Sequence, residues 1–171
     1  KTMKEQIGNK PVIAEDLGFL TPSVIRLVKK TGYPGMKILQ FAFDSREESD
    51  YLPHNYTANS VVYTGTHDND TTLGWYHTIP ACDRRFAKNY LNIKGNKKVT
   101  WEFIRAAIAS VSDTAIIPMQ DYLELGSEAR INTPSTLGDN WKWRMSAEQL
   151  SPELAEEILK LCKLYGRVKE K

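Results

Sequence analysis

A chain of 171 residues is long enough for one domain with a sizeable core and short for two. Its 41% hydrophobic and 26% charged residues exclude a disordered, collagen-like or low-complexity chain. Lys+Arg 23 against Asp+Glu 21 leaves a net charge of only +2, which gives no electrostatic reason to expect nucleic acid or an anionic membrane as partner.

Apolar strand-like runs alternate with helix signals along the chain. Pro11-Val-Ile-Ala14, after Gly8-Asn9-Lys10, reads as a short buried strand. Thr21-Pro22 fits an N-cap with proline at the first helical position, and Gly32 supplies the stop. Met36 to Phe43 is the next apolar run, and Ser60-Val-Val-Tyr-Thr64 the third. Helices are predicted from Ala81 to Tyr90, on the recurrence of Cys82, Phe86 and Tyr90, and from Thr100 to Val111, burying Trp101, Ile104, Ile108 and Val111. Thr114-Ala-Ile-Ile-Pro118 is a fourth strand, ended or placed at an edge by its proline. Ser146 with Gln149 forms a capping box, and a C-terminal helix begins at Ser151-Pro152, with Leu154, Ile158, Leu161 and Cys162 on one side. The charge runs at Lys94–Lys98 and Arg167–Lys171 read as solvated.

No apolar run approaches the roughly 20 residues of a membrane span. The opening Lys1-Thr-Met-Lys-Glu-Gln6 has no apolar signal core and begins with lysine, so a piece of a longer protein is expected. Cys82 and Cys162 match no metal-ligand spacing and read as buried thiols of a cytoplasmic protein, with a disulfide the alternative.

Strands alternating with amphipathic helices indicate an α/β fold of parallel βαβ units, about four strands where a complete (β/α)8 barrel needs about 250 residues. Polar clusters follow the strands: Glu15-Asp16, Asp44, His67-Asp68 and Gln120-Asp121. The carboxyl ends of parallel strands are where sites are assembled, so a wall of carboxylates is expected there. No GxGxxG or P-loop is present. Glu15, at the mouth of an apolar strand, reads either as a general acid whose pKa burial has raised or as a capping acid on the surface. Thr64 to Thr72 supports three readings: a metal site using His67, Asp68, Asp70 and His54, polar substrate contacts, or a structural loop. Tyr51, Tyr56, Tyr63, Trp75, Tyr76, Trp141 and Trp143 suit the apolar faces of sugar rings, and equally suit ordinary core packing. Trp141 and Trp143 flank Lys142 at strand spacing, which predicts that at least one packs inside.

Six stretches resemble the amylomaltases, or 4-α-glucanotransferases. They are Val12-Ile-Ala-Glu-Asp-Leu-Gly18, Gly35 to Asp44, Tyr51-Leu-Pro-His-Asn-Tyr56, Tyr63 to Thr72, Arg130-Ile-Asn-Thr-Pro134 and Gly138-Asp-Asn-Trp-Lys-Trp-Arg144, all in the family's order. The resemblance implies that residues 1–171 are the C-terminal part, about strands five to eight with their helices, of a (β/α)8 barrel. It further implies transfer of α-1,4-glucan segments with retention. Glu15 matches the family's general acid/base, Asp68 the transition-state stabiliser and His67 a ligand of the same sugar. Asp44 and Asn132 match positions near substrate, and Ser135 departs from the family's usual glycine or alanine. The implied chemistry needs no metal or organic cofactor.

A retaining mechanism also needs a nucleophilic aspartate about 5–5.5 Å from the acid/base. The family places it upstream of the glutamate, where this sequence has only Glu5, so the isolated chain is expected to be inactive. The implied partners are α-1,4-glucans and maltooligosaccharides, in the cytoplasm or, in a plant, the plastid. An open half-barrel is also expected to self-associate through its exposed edges. The alternatives are a non-catalytic glucan-binding or assembly module and, further off, a metal-dependent hydrolase.

Overall fold

In the computed structural model, which describes residues 5–6, 8, 10–18, 20–95 and 98–168, three short parallel strands form one sheet in the order β1-β2-β3. They are β1 (Gly35–Ile38), β2 (Ser60–Tyr63) and β3 (Thr114–Ile116). Ile38 pairs with Tyr63 and Tyr63 with Ile116, so the carboxyl ends of the three lie level. The strand expected at Pro11–Ala14 is reduced to one parallel bridge between Ala14 and Gly35, with the Ala14 N–H donating to the Pro34 carbonyl at 2.9 Å. Four chain segments therefore lie side by side in sequence order.

Beside that bridge the Asp16 carboxylate accepts the Met36 N–H at 2.7 Å. Gly35 makes room for it, because a Cβ there would stand 2.3 Å from Asp16 Oδ2. Gly35→Ala is therefore expected to push the carboxylate away, leave the Met36 N–H without its acceptor and cost about 1–3 kcal/mol of stability. Denaturant unfolding of the variant checks this, and an unchanged midpoint would contradict it.

The second strand is shorter than its apolar run. After Ile38 the chain turns into a single 3-10 turn, Leu39–Phe41, in which the Gln40 N–H reaches the Thr64 carbonyl at 3.2 Å and the Ala42 N–H closes on Leu39. Asp44 therefore lies past a turn and away from the strand end.

Helix α1 (Pro22–Thr31) is capped by Thr21 and ended by Gly32 at φ 71°, as the sequence predicts. It buries none of its residues, and Val24, Ile25 and Leu27 are exposed. Helix α2 (Thr72–Thr78) was not expected; the Thr71 hydroxyl caps it by accepting the Gly74 N–H at 3.1 Å. Helix α3 (Ala81–Tyr90) turns Asp83 and Ala87 inward, with Phe86 and Tyr90 against the core. Cys82 is exposed, contrary to expectation, because the buried Asp83 beside it takes the inner face and accepts the Ser45 N–H at 2.9 Å. Cys162 is half-buried.

Helix α4 (Val99–Ala109) is the centre of the packing. Phe103 and Ala107 join the cluster of Leu39, Phe43 and Val62, whereas Trp101, Ile104 and Ile108 pack against Leu161. Val111, expected to be buried, is 59% exposed, since the helix stops at Ala109 and Ser110 is extended. A single turn, α5 (Met119–Tyr122), follows β3, and α6 (Pro152–Leu164) returns over α4 with Leu154, Ile158 and Cys162 facing it.

Ser146 and Gln149 form the predicted capping box, on a 3-10 turn. Arg167 is not solvated: its guanidinium donates to the carbonyls of Ile108, Ser110 and Ser112 at 2.6–2.9 Å. It thus satisfies acceptors left open at the end of α4. Residues 96–97 and 169–171 of the two charge runs lie outside the described residues.

Candidate active site

The segments that leave the carboxyl ends of the strands enclose a cleft of about 870 Å³. Glu15 follows the Ala14 bridge, His67 and Asp68 follow β2, and Gln120 follows β3; all of them line the cleft. Ile13, Phe41, Tyr63, Ile116 and Trp143 give it apolar and aromatic walls. Glu15 and Asp68 are the carboxylates on this lining, and both are exposed to the solvent that fills the cleft.

The loop after β2 is a turn closed by its own side chains. The N–H and the hydroxyl of Thr66 both donate to Asn69 Oδ1 at 2.8 Å, and the Asn69 N–H returns to the Thr66 carbonyl at 3.2 Å. On an extended strand His67 and Asp68 would point to opposite faces. The turn instead brings His67 Nε2 to 3.3 Å from Asp68 Oδ1. Asn132 Nδ2 donates to the same Oδ1 at 2.6 Å, and Arg130 spans the two segments, donating to the main-chain carbonyls of Asp68 at 2.7 Å and Asn132 at 2.9 Å. The Trp141 ring lies over His67, with centroids 5.1 Å apart and planes 35° from parallel.

The two tryptophans are not on a strand: Trp141 is 56% exposed at φ 64°, and Trp143 is half-buried in the cleft wall. Ser135 also stands at a positive φ of 62°, a conformation glycine takes at no steric cost. Tyr63 has its phenol pKa pushed up, first by burial and then by the negative charge of Glu15. It remains a protonated hydroxyl near the carboxylate. Among the described residues, no three His, Cys, Asp or Glu side chains converge as a metal ion would require.

Asp44 is not brought to this cleft. Its carboxylate takes the Arg46 guanidinium in a fork, at 2.8 and 2.5 Å, and also accepts the Arg46 N–H at 2.9 Å. Those bonds hold its pKa down at about 2. It faces a separate hollow shared with Cys82 and Phe86.

Residues that hold the site are less visible in the sequence than residues that line it. Gln40 is 5% exposed and donates from Nε2 to the Asp70 carbonyl at 2.9 Å. Ser127 donates its hydroxyl to Asp70 Oδ2 at 2.6 Å. A lone glutamine inside the apolar run Leu39-Gln-Phe41 was the available signal for the first, because a buried amide needs a partner. Ser127 gives no comparable signal.

Residues 1–150 match the glycoside hydrolase 77 family model, described as 4-alpha-glucanotransferase, and the chain belongs to that family. The 4-alpha-glucanotransferase of Streptococcus pneumoniae serotype 4 is 51% identical over 169 residues, which are 98% of this chain and 34% of that protein. The chloroplastic/amyloplastic 4-alpha-glucanotransferase of Solanum tuberosum is 44% identical over 167 residues, 96% of this chain and 29% of that one. Among solved structures, the amylomaltase from Streptococcus agalactiae in complex with acarbose superposes with a TM-score of 0.93 at 39% identity, covering 98% of this chain and 34% of its own. The chain spans about a third of the length of the relatives it matches. Among the described residues no helix is long and apolar enough to cross a membrane.

Proposed function

We propose that this chain supplies two of the three catalytic carboxylates of a 4-α-glucanotransferase. In this reading the Ala14 bridge and β1 to β3 are strands five to eight of a (β/α)8 barrel. The carrying observation is that Glu15 and the His67–Asp68 pair, which leave different strands, line one cleft with aromatic walls. The substrates are α-1,4-glucans and maltooligosaccharides, whose rings present apolar faces to such walls and hydroxyls to His67, Asp68 and Asn132. Cytoplasm, or the plastid in a plant, is where such substrates are met.

The chemistry follows from the positions. Glu15, protonated, gives its proton to the glycosidic oxygen as the C1–O4 bond breaks. A carboxylate from the remainder of the protein bonds to C1 from the opposite face. The negative charge of Asp68 opposes the positive charge that develops on the ring, and Asn132 and His67 hold that carboxylate in place. Glu15, now ionised, takes the proton from the 4-hydroxyl of an incoming glucan, which displaces the carboxylate and restores the α-linkage.

The exposed Val24, Ile25 and Leu27 of α1 support a fold completed by further chain. Incubation with maltotriose tests the reading. The full-length protein is expected to give glucose together with a ladder of longer maltooligosaccharides. The 171-residue chain alone is expected to give neither and to elute as multimers. Glucose and maltose without longer products would mean a hydrolase, and no products from folded full-length protein would leave a glucan-binding module. A ladder from the isolated chain would place the nucleophile within it.

A further inference from the structure

We infer that Asp121 is a positioning residue for Asp68, its buried carboxylate fastening both ends of the loop that carries the transition-state stabiliser. The inference rests on the function proposed above for Asp68.

Asp121 lies on α5, just past β3, and is 1% exposed. Three donors converge on it. The Thr64 hydroxyl donates to Oδ2, the Thr72 hydroxyl donates to Oδ2 at 2.7 Å, and the Thr72 N–H donates to Oδ1 at 2.8 Å. Thr64 directly follows β2 and Thr72 opens α2, so the two threonines bracket the loop, with Asp68 midway. Both are fully buried. Among the described residues no cation stands within ion-pair distance of Asp121, so these hydrogen bonds offset its burial. Burial pushes its pKa up and the three bonds oppose that push.

Asp68 itself is half exposed, so close packing does not fix it. Its place is set by Asn132 and Arg130 from one side and by the loop's anchors from the other. Asp70, within the same loop, adds Gln40 and Ser127 to those anchors. A reacting group displaced by about 1 Å loses on the order of 10²-fold in rate. An anchor at each end of the loop is therefore a control on rate and leaves sugar binding largely to the cleft walls. An acceptor suits the position because the Thr72 N–H can only donate and both threonine hydroxyls turn their hydrogens to the same carboxyl group.

The test is Asp121→Asn, with Thr72→Val to remove one donor and Thr72→Ser to keep it, all in the full-length protein. For Asp121→Asn and Thr72→Val, kcat on maltotriose is expected to fall at least about 10-fold with KM within about 2-fold, and Thr72→Ser to stay near wild type. Amide hydrogen exchange of residues 66–70 should quicken at least about 10-fold while β1 and β2 keep their protection. A folded Asp121→Asn protein with unchanged kcat and unchanged loop exchange would overturn the inference. So would exchange raised evenly over the sheet, with activity lost only in proportion to unfolded protein. If the wild-type protein makes no ladder, the proposed function falls, and loop exchange alone then decides whether Asp121 fastens the loop.

Discussion

Glu15→Gln in the full-length protein is expected to lower transfer from maltotriose by roughly 10²–10⁴-fold, the usual worth of a positioned acid/base. Glutamine keeps the size of the side chain and can neither give a proton to the departing oxygen nor take one from the acceptor. The loss should depend on the donor. A nitrophenyl α-maltoside releases a stable phenolate that needs no proton, so cleavage of that bond is expected to recover most of its rate. The following step still needs a base, so the variant should show a burst of nitrophenol followed by slow turnover.

Asp68→Asn gives the contrast. In the role proposed for it, its carboxylate opposes charge on the ring whatever group leaves, so its removal is expected to cost about 10²–10³-fold on both donors alike. Steady-state and burst kinetics of the two variants on the two donors therefore separate the two roles. A nitrophenol burst slowed in Glu15→Gln as much as transfer from maltotriose would mean that Glu15 is not the acid.

The difference between reading the sequence and seeing the fold lies mainly at the ends of elements. Thr21-Pro22 and Gly32 fix α1 because capping and left-handed termination are local, and the chain carries their signals in neighbouring residues. The parallel sheet was legible from strand–helix alternation, and so was the gathering of Glu15, His67 and Asp68 at one end. Strand length was not. Met36 to Phe43 reads as one apolar run broken only by Lys37 and Gln40, yet the strand ends at Ile38, where the chain tightens into the turn Leu39–Phe41 and the Ala42 N–H returns to the Leu39 carbonyl. Asp44 leaves the cleft for the same reason.

The polar residues beneath the site were the hardest to rank. Gln120-Asp121 stood out as a polar pair after an apolar run, but nothing local distinguishes a carboxylate that meets substrate from one that meets Thr64 and Thr72. That distinction depends on burial, and burial depends on which elements come together. Asp16 is the same case, one residue from Glu15 and engaged with the Met36 N–H.

Phe103→Ala is expected to have the largest effect on stability, a loss of about 3–5 kcal/mol. Periodicity assigned α4 a single buried face through Trp101, Ile104 and Ile108, but the helix is covered on two sides. Phe103 is fully buried on the second side, edge-on to Phe43 and to Trp75 at 5.5 Å in each case and to Tyr76 at 6.2 Å. Those rings belong to the segment after β1 and to α2, so this one side chain joins three elements and removing it opens a cavity that rigid neighbours close poorly. Val111→Ala, by contrast, alters a side chain exposed to water just beyond the helix end and should stay within about 0.5 kcal/mol of wild type. Denaturant unfolding of the two full-length variants makes the comparison. A loss at Val111 as large as that at Phe103 would mean that another surface covers the end of α4, where further chain of the intact protein would have to lie.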